Sequence, residues 1–325
     1  MDALVGGKRK RKDGLTGPFL LPLAVSARCD RRNEKLKASM PELPEVETVA
    51  QGVHERAHGQ RILAAEFSRA REPFKTDPDT MAAVLTGQRI ARVHRVGKHI
   101  VFDLETPRPP KGKAEPADHQ WIVHLGMTGR LLYSAASVPV PPHTHGRLSL
   151  SSGHELRFVD ARRFGRMGLH SGARAQPFSG PGSEPLHISP EDFAALFRGR
   201  KLSIKAALLN QKLLHGVGNI YADESLYWAG IRPTRIAGSL SRERLLKLHA
   251  ALQQVLRKAI ELGGSSVSDY VDADGVRGFF QLEHRVYDRA RRRHRAGEPC
   301  RACAAEIRKM VHAGRGTHYC PRCQR

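Results

Sequence analysis

The sequence predicts a multidomain α+β chain in three parts: a β-rich segment, a helical segment and a small C-terminal metal ribbon. Three observations carry this. Between Arg61 and His170, short apolar runs are bounded by Gly, Pro and polar clusters, the pattern of strands and turns. After Pro185, apolar residues recur at helical spacing behind helix-start and helix-stop residues. Near the end stand two Cys-x2-Cys pairs, Cys300/Cys303 and Cys320/Cys323, sixteen residues apart. The boundaries that follow are an extension over 1–39, a β-rich domain over 40–170, a linker over 171–186, a helical domain over 187–285 and a metal-binding finger over 286–325.

Each part can be justified in order. Residues 1–39 combine a charge run, "GGKRKRKDG", with a short apolar patch broken by two prolines, "GPFLLPLAVSA". They loosely mimic a signal peptide, but read better as a disordered tail or as translated sequence upstream of the true start. A helix begins at Pro44, a residue suited to the first helical turn. Glu45 and Glu47 complement the dipole there. Val46, Val49, Ala50, Val53 and Ala57 form one buried stripe, and Gly59 ends it. "RILAAEF", "RIARVHRVGKHIVFDLE", "QWIVHLGMTGRLLY" and "RLSLSSGHELRFVDARRFGRMGLH" read as strands, with "SSGH" a hairpin turn and Thr106–Gln120 an exposed loop. "SGARAQPFSGPGSEP" is the linker. Ser189-Pro190-Glu191-Asp192 opens a helix. "IKAALLNQKLL", ended by Gly216, "YADESLYWAG" and "SRERLLKLHAALQQVLRKAIELGG" continue the helical part.

The charge identifies the class of partner. The 325 residues carry a formal net charge of +22, with a pI near 10.4. Residues 1–39 hold ten Lys/Arg against four Asp/Glu, so +16 belongs to the rest of the chain. Arg285–Arg325 hold twelve basic residues against three acids. A polyanion is the natural partner, and the C-terminal end should lie on it. No apolar run approaches the roughly 18–20 residues needed to cross a bilayer, so a nucleic acid is favoured over a membrane.

Two residues between paired cysteines let both thiolates face one ion, and four thiolates close a tetrahedral site with no open position. One structural zinc follows, rather than a catalytic one. A ribbon this short has no core of its own, so the metal supplies its folding energy. Cys29 stands alone, and the pattern fits a reducing compartment better than a disulfide framework. In "KLLHGVGNIYADE", Gly216, Gly218 and Asn219 lie between two helices. The second helix should present its free N–H groups at this turn, a ready phosphate site with Asn219 and Lys205 beside it.

"MPELPEVET" (40–48), "GVGNIYADESL" (216–226) and "GEPCRAC…THYCPRC" near the C-terminus resemble the formamidopyrimidine-DNA glycosylases. "VGKH", "HLGMTG", "DARRFG" and "GGSSVSDYVDADG" fall in that family's order, and the resemblance covers Pro41 to Arg325. It implies an N-terminal β-sandwich with flanking helices, a helix–two-turns–helix domain and a C-terminal zinc finger. It also implies an enzyme of base-excision repair, acting as a monomer on double-stranded DNA in a bacterial type of cytoplasm, associated with the nucleoid. Such enzymes release oxidised purines and nick the abasic site by β,δ-elimination.

The family's catalytic residues carry over to Pro41 as amine nucleophile, Glu42 as acid/base, Lys98 near the 3′ phosphate, and Arg315 as the zinc-finger arginine tied to δ-elimination. Glu45 is a helper or a plain first-turn acid. Met127, Arg162 and Phe164 match the trio that fills the space left by the extruded base. His143, Arg200, Lys205 and Asn219 are expected phosphate contacts. A metal pair of His143 and His145 is rejected for want of a third ligand. The Gly-rich stretch 263–280 matches a loop that closes over the damaged base.

Two alternatives stay open. One is an endonuclease VIII-like enzyme for oxidised pyrimidines, against which Leu43 speaks, because that group typically has Gly there. The other is a silent DNA-binding protein, should Pro41 never be freed. An amide nitrogen has no basic lone pair, so the chemistry requires Met40 to be the start, or a cleavage after it.

Overall fold

A computed structural model describes residues 40–69, 72–106, 119–173, 175–266, 270–291 and 295–325. The expected extension over 1–39, with Cys29, lies outside the described residues, as do 107–118 of the exposed loop and 267–269 of the Gly-rich stretch.

The chain opens with helix α1 (Leu43–Ala57), with Pro44 in its first turn. The expected stripe is buried. Eight strands follow, β1 (Ile62–Phe67), β2 (Arg89–Val96), β3 (His99–Glu105), β4 (His119–His124), β5 (Arg130–Ala135), β6 (Thr144–Leu150), β7 (His154–Val159) and β8 (Arg166–Ser171). They form two antiparallel four-stranded sheets, ordered β1-β6-β7-β5 and β2-β3-β4-β8. Inner-face residues of both, among them Phe102, Trp121, Val123, Leu148 and Phe158, share one core with the α1 stripe. This is the sandwich that the family resemblance implies, closed by burial of alternate side chains from each sheet. Helix α2 (Pro78–Leu85) was not among the sequence expectations. Asp77 caps it by accepting from Thr80 N–H, and it buries only Met81 and Leu85.

The helical part contains α3 (Pro190–Ala195), α4 (Ile204–Leu208), α5 (Asn219–Ala229) and α6 (Arg242–Glu261). Ser189, Ser203 and Ser241 cap α3, α4 and α6 through their hydroxyls. The helix read from "IKAALLNQKLL" is a correction, because α4 stops at Leu208. Asn210 ends it: its Oδ1 accepts from Lys212 N–H and its carbonyl from the N–H groups of Leu213 and Leu214. Such a local side-chain bond competes with continuing the helix. Gly230, at φ +70°, closes α5 in the left-handed conformation that suits glycine at a helix end. Strands β9 (Arg308–His312) and β10 (Arg315–Tyr319) form the terminal hairpin.

The two main cores interlock. Leu43, the first residue of α1, packs in the helical core. Tyr270 and Ala273, beyond α6, pack in the sandwich core. Among the described residues no helix is long and apolar enough to cross a membrane.

Candidate active site

Pro41 is buried at the head of α1. Glu42 follows in an extended conformation, but its carboxylate serves a different helix. It accepts from Ile220 N–H at 3.0 Å and from Tyr221 N–H at 3.4 Å, so it sits on the N-terminus of α5. That end of a helix offers free donors and a positive dipole. The approach demands glycine: a Cβ on Gly218 would lie 2.1 Å from Glu42 Cδ. The turn is tied down again where Leu43 N–H donates to Gly216 O at 3.1 Å.

Burial pushes the Glu42 carboxyl up to about 7. The Lys98 ammonium and the two α5 amides pull against this, and Glu45 adds to the rise. Near neutrality the group is therefore both acid and base, as proton transfer requires. Glu45 is buried beside it. One of its oxygens accepts from Glu42 N–H at 2.9 Å, and the other from Ser265 N–H at 2.7 Å and from the Tyr221 hydroxyl. Burial raises the Glu45 pKa against those donors.

Lys98 lies in the turn between β2 and β3 and is only 8% exposed. Burial lowers its pKa, Glu42 and Glu45 oppose the fall, and Arg315 adds to it. Lys98 thus lies within electrostatic reach of Glu42, Glu45 and Arg315, and Glu42 adjoins Pro41 in the chain. Arg315 is exposed and opens β10. The carbonyl of the next residue, Gly316, accepts from Lys205 Nζ at 3.1 Å and Asn219 Nδ2 at 2.9 Å.

Two expectations need correction here. The α5 N-terminus does not stand free for a phosphate, because the Glu42 carboxylate takes its Ile220 and Tyr221 donors. Lys205 is not placed to touch phosphate either. It is fully buried, ion-paired with Asp223 at 2.7 Å and donating to Thr317 Oγ1 at 2.8 Å. Its charge is spent on holding the hairpin that carries Arg315 against α4 and α5.

Met127 and the Arg162–Phe164 pair come together at one edge of the sandwich. A Cβ on Gly126 would lie 2.5 Å from Gly165 N, so the two turns are pressed backbone to backbone. Arg162 covers the Phe164 ring at 4.7 Å, and the ring is 44% exposed. The buried Asp160 organises both turns, accepting from the Thr128 hydroxyl, Arg162 N–H at 3.2 Å and Gly165 N–H at 2.7 Å. Asp160 is not among the expected site residues, although an Asp ahead of the Gly-containing turn in "DARRFG" is a signal for such bonding. Asp223 was missed too, and no local signal marks it.

His143 is exposed on a turn at φ +65°. His145 bonds Ser68 Oγ and Asp160 O, which leaves it no part in a metal pair. Arg200 is half-buried with its Nε donating to Leu196 O, and among the described residues no hydrogen bond or ion pair joins it to the Glu42 cluster.

The cysteine expectation can be tested on geometry. The four Sγ atoms lie within 4.8 Å of one another, with Cys300–Cys323 at 3.8 Å and Cys303–Cys320 at 3.4 Å. Zinc–sulfur bonds of about 2.3 Å at tetrahedral angles put sulfurs about 3.8 Å apart. The donor set fits one structural zinc with no open position.

Comparison with known proteins agrees with this geometry. The formamidopyrimidine-DNA glycosylase N-terminal domain matches residues 40–167, the H2TH domain of those enzymes residues 180–271, and a zinc finger found in FPG and IleRS residues 297–325. Sandwich, helical domain and finger together define a DNA glycosylase of the zinc-finger H2TH class. The formamidopyrimidine-DNA glycosylase of Solibacter usitatus is 44% identical over 286 residues, covering 88% of this chain and all of that protein. The one from Symbiobacterium thermophilum is 42% identical over 292 residues, covering 88% and 89%. Lactococcus lactis Fpg in complex with abasic-site DNA is 34% identical, with a TM-score of 0.75, over 87% of this chain and 99% of that one. The same enzyme with oxidised-pyrimidine DNA gives 0.73 at 34%, over 88% and 100%. The chain belongs to the formamidopyrimidine-DNA glycosylase family.

Proposed function

We propose that this chain is a bifunctional glycosylase and AP lyase that removes 8-oxoguanine and formamidopyrimidines from double-stranded DNA. The observation that carries the reading is the Glu42 carboxyl beside Pro41, seated on α5 with its pKa raised to about 7 and Lys98 close by.

The freed Pro41 nitrogen attacks C1′ of the damaged nucleotide, and the bond from C1′ to the base breaks. The base leaves with the electron pair and takes up a proton. Glu42 protonates the sugar ring oxygen as the C1′–O4′ bond opens, which leaves an iminium on Pro41. That electron sink makes the C2′ proton removable, so the 3′ phosphate departs, and a second elimination releases the 5′ phosphate. Lys98 serves the first elimination and Arg315 the second. Met127, Arg162 and Phe164 occupy the space left in the duplex, while His143, Arg200 and Asn219 contact phosphates.

The chemistry needs a secondary amine, so Pro41 must be the mature N-terminus, through a start at Met40 or cleavage after it. The working boundaries are a sandwich over 40–170, a linker over 171–186, a helical domain over 187–285 and a zinc finger over 286–325. A monomer in the bacterial cytoplasm, associated with the nucleoid, suits this work.

Borohydride trapping tests the reading. Protein with a free Pro41 should cross-link to a duplex carrying 8-oxoguanine opposite cytosine and nick it. No adduct would exclude the lyase chemistry. Faster cleavage of an oxidised-pyrimidine duplex would favour the endonuclease VIII-like alternative, an arm worth running because a solved relative is bound to oxidised-pyrimidine DNA.

A further inference from the structure

We propose that His215 is a positioning residue for strand cleavage, acting through Lys98; this rests on the lyase reading above. His215 ends the segment that leads into the Gly216 turn and is 5% exposed. Its ring lies in a slot between two glycines from distant parts of the chain. A Cβ on Gly97 would fall 2.2 Å from Nε2, and a Cβ on Gly180 would fall 1.5 Å from Nδ1. Only a residue with no side chain fits on either side.

Gly97 is the left-handed turn residue, at φ +59°, that immediately precedes Lys98. The ring therefore presses on the backbone from which the Lys98 side chain starts. The neighbouring Gly216 carbonyl accepts from Leu43 N–H, next to Glu42. One dipeptide, His215-Gly216, thus touches the backbone beside both the amine and the carboxyl of the site, and fixes the spacing between them. His215 N–H donates to Ser183 O at 2.9 Å, which fixes the dipeptide in turn.

The slot suits a neutral ring. Burial holds the His215 pKa down, Arg95 and Lys98 reinforce this, and Glu184 opposes it. The facing His99 ring, 5.9 Å away, is itself held down to about 4. The function asked of His215 is its flat shape, not its proton.

The experiment uses protein with Pro41 free, under single-turnover conditions, on a duplex with a preformed abasic site. Borohydride trapping reports iminium formation and gel electrophoresis reports scission. His215→Ala should slow scission by about ten- to a hundredfold, the scale of a roughly 1 Å misplacement, while trapping changes by less than about threefold. In a Lys98→Ala background His215→Ala should add nothing, because the two residues act as one unit. His215→Phe, which keeps a flat neutral ring, should restore most of the scission. Should His215→Ala not fold, Gly180→Ala displaces the same ring from the other side and must give the same selective loss. Equal slowing of trapping and scission, or a loss that multiplies with that of Lys98→Ala, overturns the proposal. A parent protein that neither traps nor nicks overturns the lyase reading itself, and this assignment with it.

Discussion

Lys205 and Asp223 form an ion pair at 2.7 Å with neither side chain exposed to solvent. Asp223 also accepts from His318 N–H at 2.9 Å, so a pair rooted in α4 and α5 holds β10 of the zinc finger. The Lys205 amine is kept in place by Asp223, Thr317 and the Gly316 carbonyl, and burial lowers its pKa against the pull of Asp223.

Removing one partner of such a pair leaves the other charge buried and uncompensated. Lys205→Met should cost roughly 3–5 kcal/mol in urea denaturation, and Lys205→Met with Asp223→Leu should recover much of it. The dependence of DNA affinity on salt should keep its slope in the double variant, because a buried lysine neutralises no phosphate. A slope reduced by about one phosphate would show that Lys205 reaches the DNA after all.

Glu42 gives a signed pH dependence. Its folded pKa of about 7 lies above the ordinary 4.5. Below 4.5 the carboxyl is protonated folded or unfolded and contributes nothing. Between 4.5 and 7 only the unfolded chain ionises, so stability falls as pH rises, and above 7 the loss levels off at about 3 kcal/mol. Glu42→Gln should flatten that part of the stability–pH curve. It should also lower base excision by about a hundredfold or more. In the parent protein, excision limited by the acid form should decline as pH climbs past 7.

Gly218→Ala puts a methyl where the Glu42 carboxyl sits. Excision should fall by about a hundredfold while zinc content is unchanged, since the displacement exceeds the 1 Å that already costs this much. Metal analysis beside single-turnover kinetics checks both halves. Near-normal excision would mean that Glu42 works without its seat on α5.

Zinc removal should act on the hairpin and leave the sandwich folded. The apolar cluster of the finger is small, with Val286, Ala290, Ile307 and its own cysteines packed on Tyr227 of α5, so the metal dominates its stability. Chelation, or Cys303→Ser, should abolish the second elimination as Arg315 loses its support. The near-ultraviolet signal of Trp121, buried in the sandwich core, should persist. Loss of both together would overturn this separation.

Local chemistry made much of this molecule legible in its sequence. Pro44 and the valine stripe announced α1, Gly153 the β6–β7 turn, and the cysteine spacing the metal. What stayed hidden depends on partners far along the chain. Lys205 looks like any surface lysine until Asp223, eighteen residues on, and Thr317 close around it. Glu42 was placed by resemblance, but its seat on α5 could not be read, because the donors come 178 residues later. The same distance hides which anion the α5 terminus holds: the turn marks a site for an anion without naming the carboxylate that fills it. Helix α2 was overlooked despite the plain Asp77-Pro78 start, because eight residues with two buried side chains leave little periodicity to see.

The separation of Glu42 from its donors also orders events during synthesis. The sandwich domain can leave the ribosome well before α5 does. At translation speeds of about 5–20 residues per second, the stretch from Ser171 to Asn219 takes about two to ten seconds. Through that interval Glu42 lacks the helix that seats it. A nascent chain is therefore no nuclease, and the catalyst comes into being only when the helical domain docks.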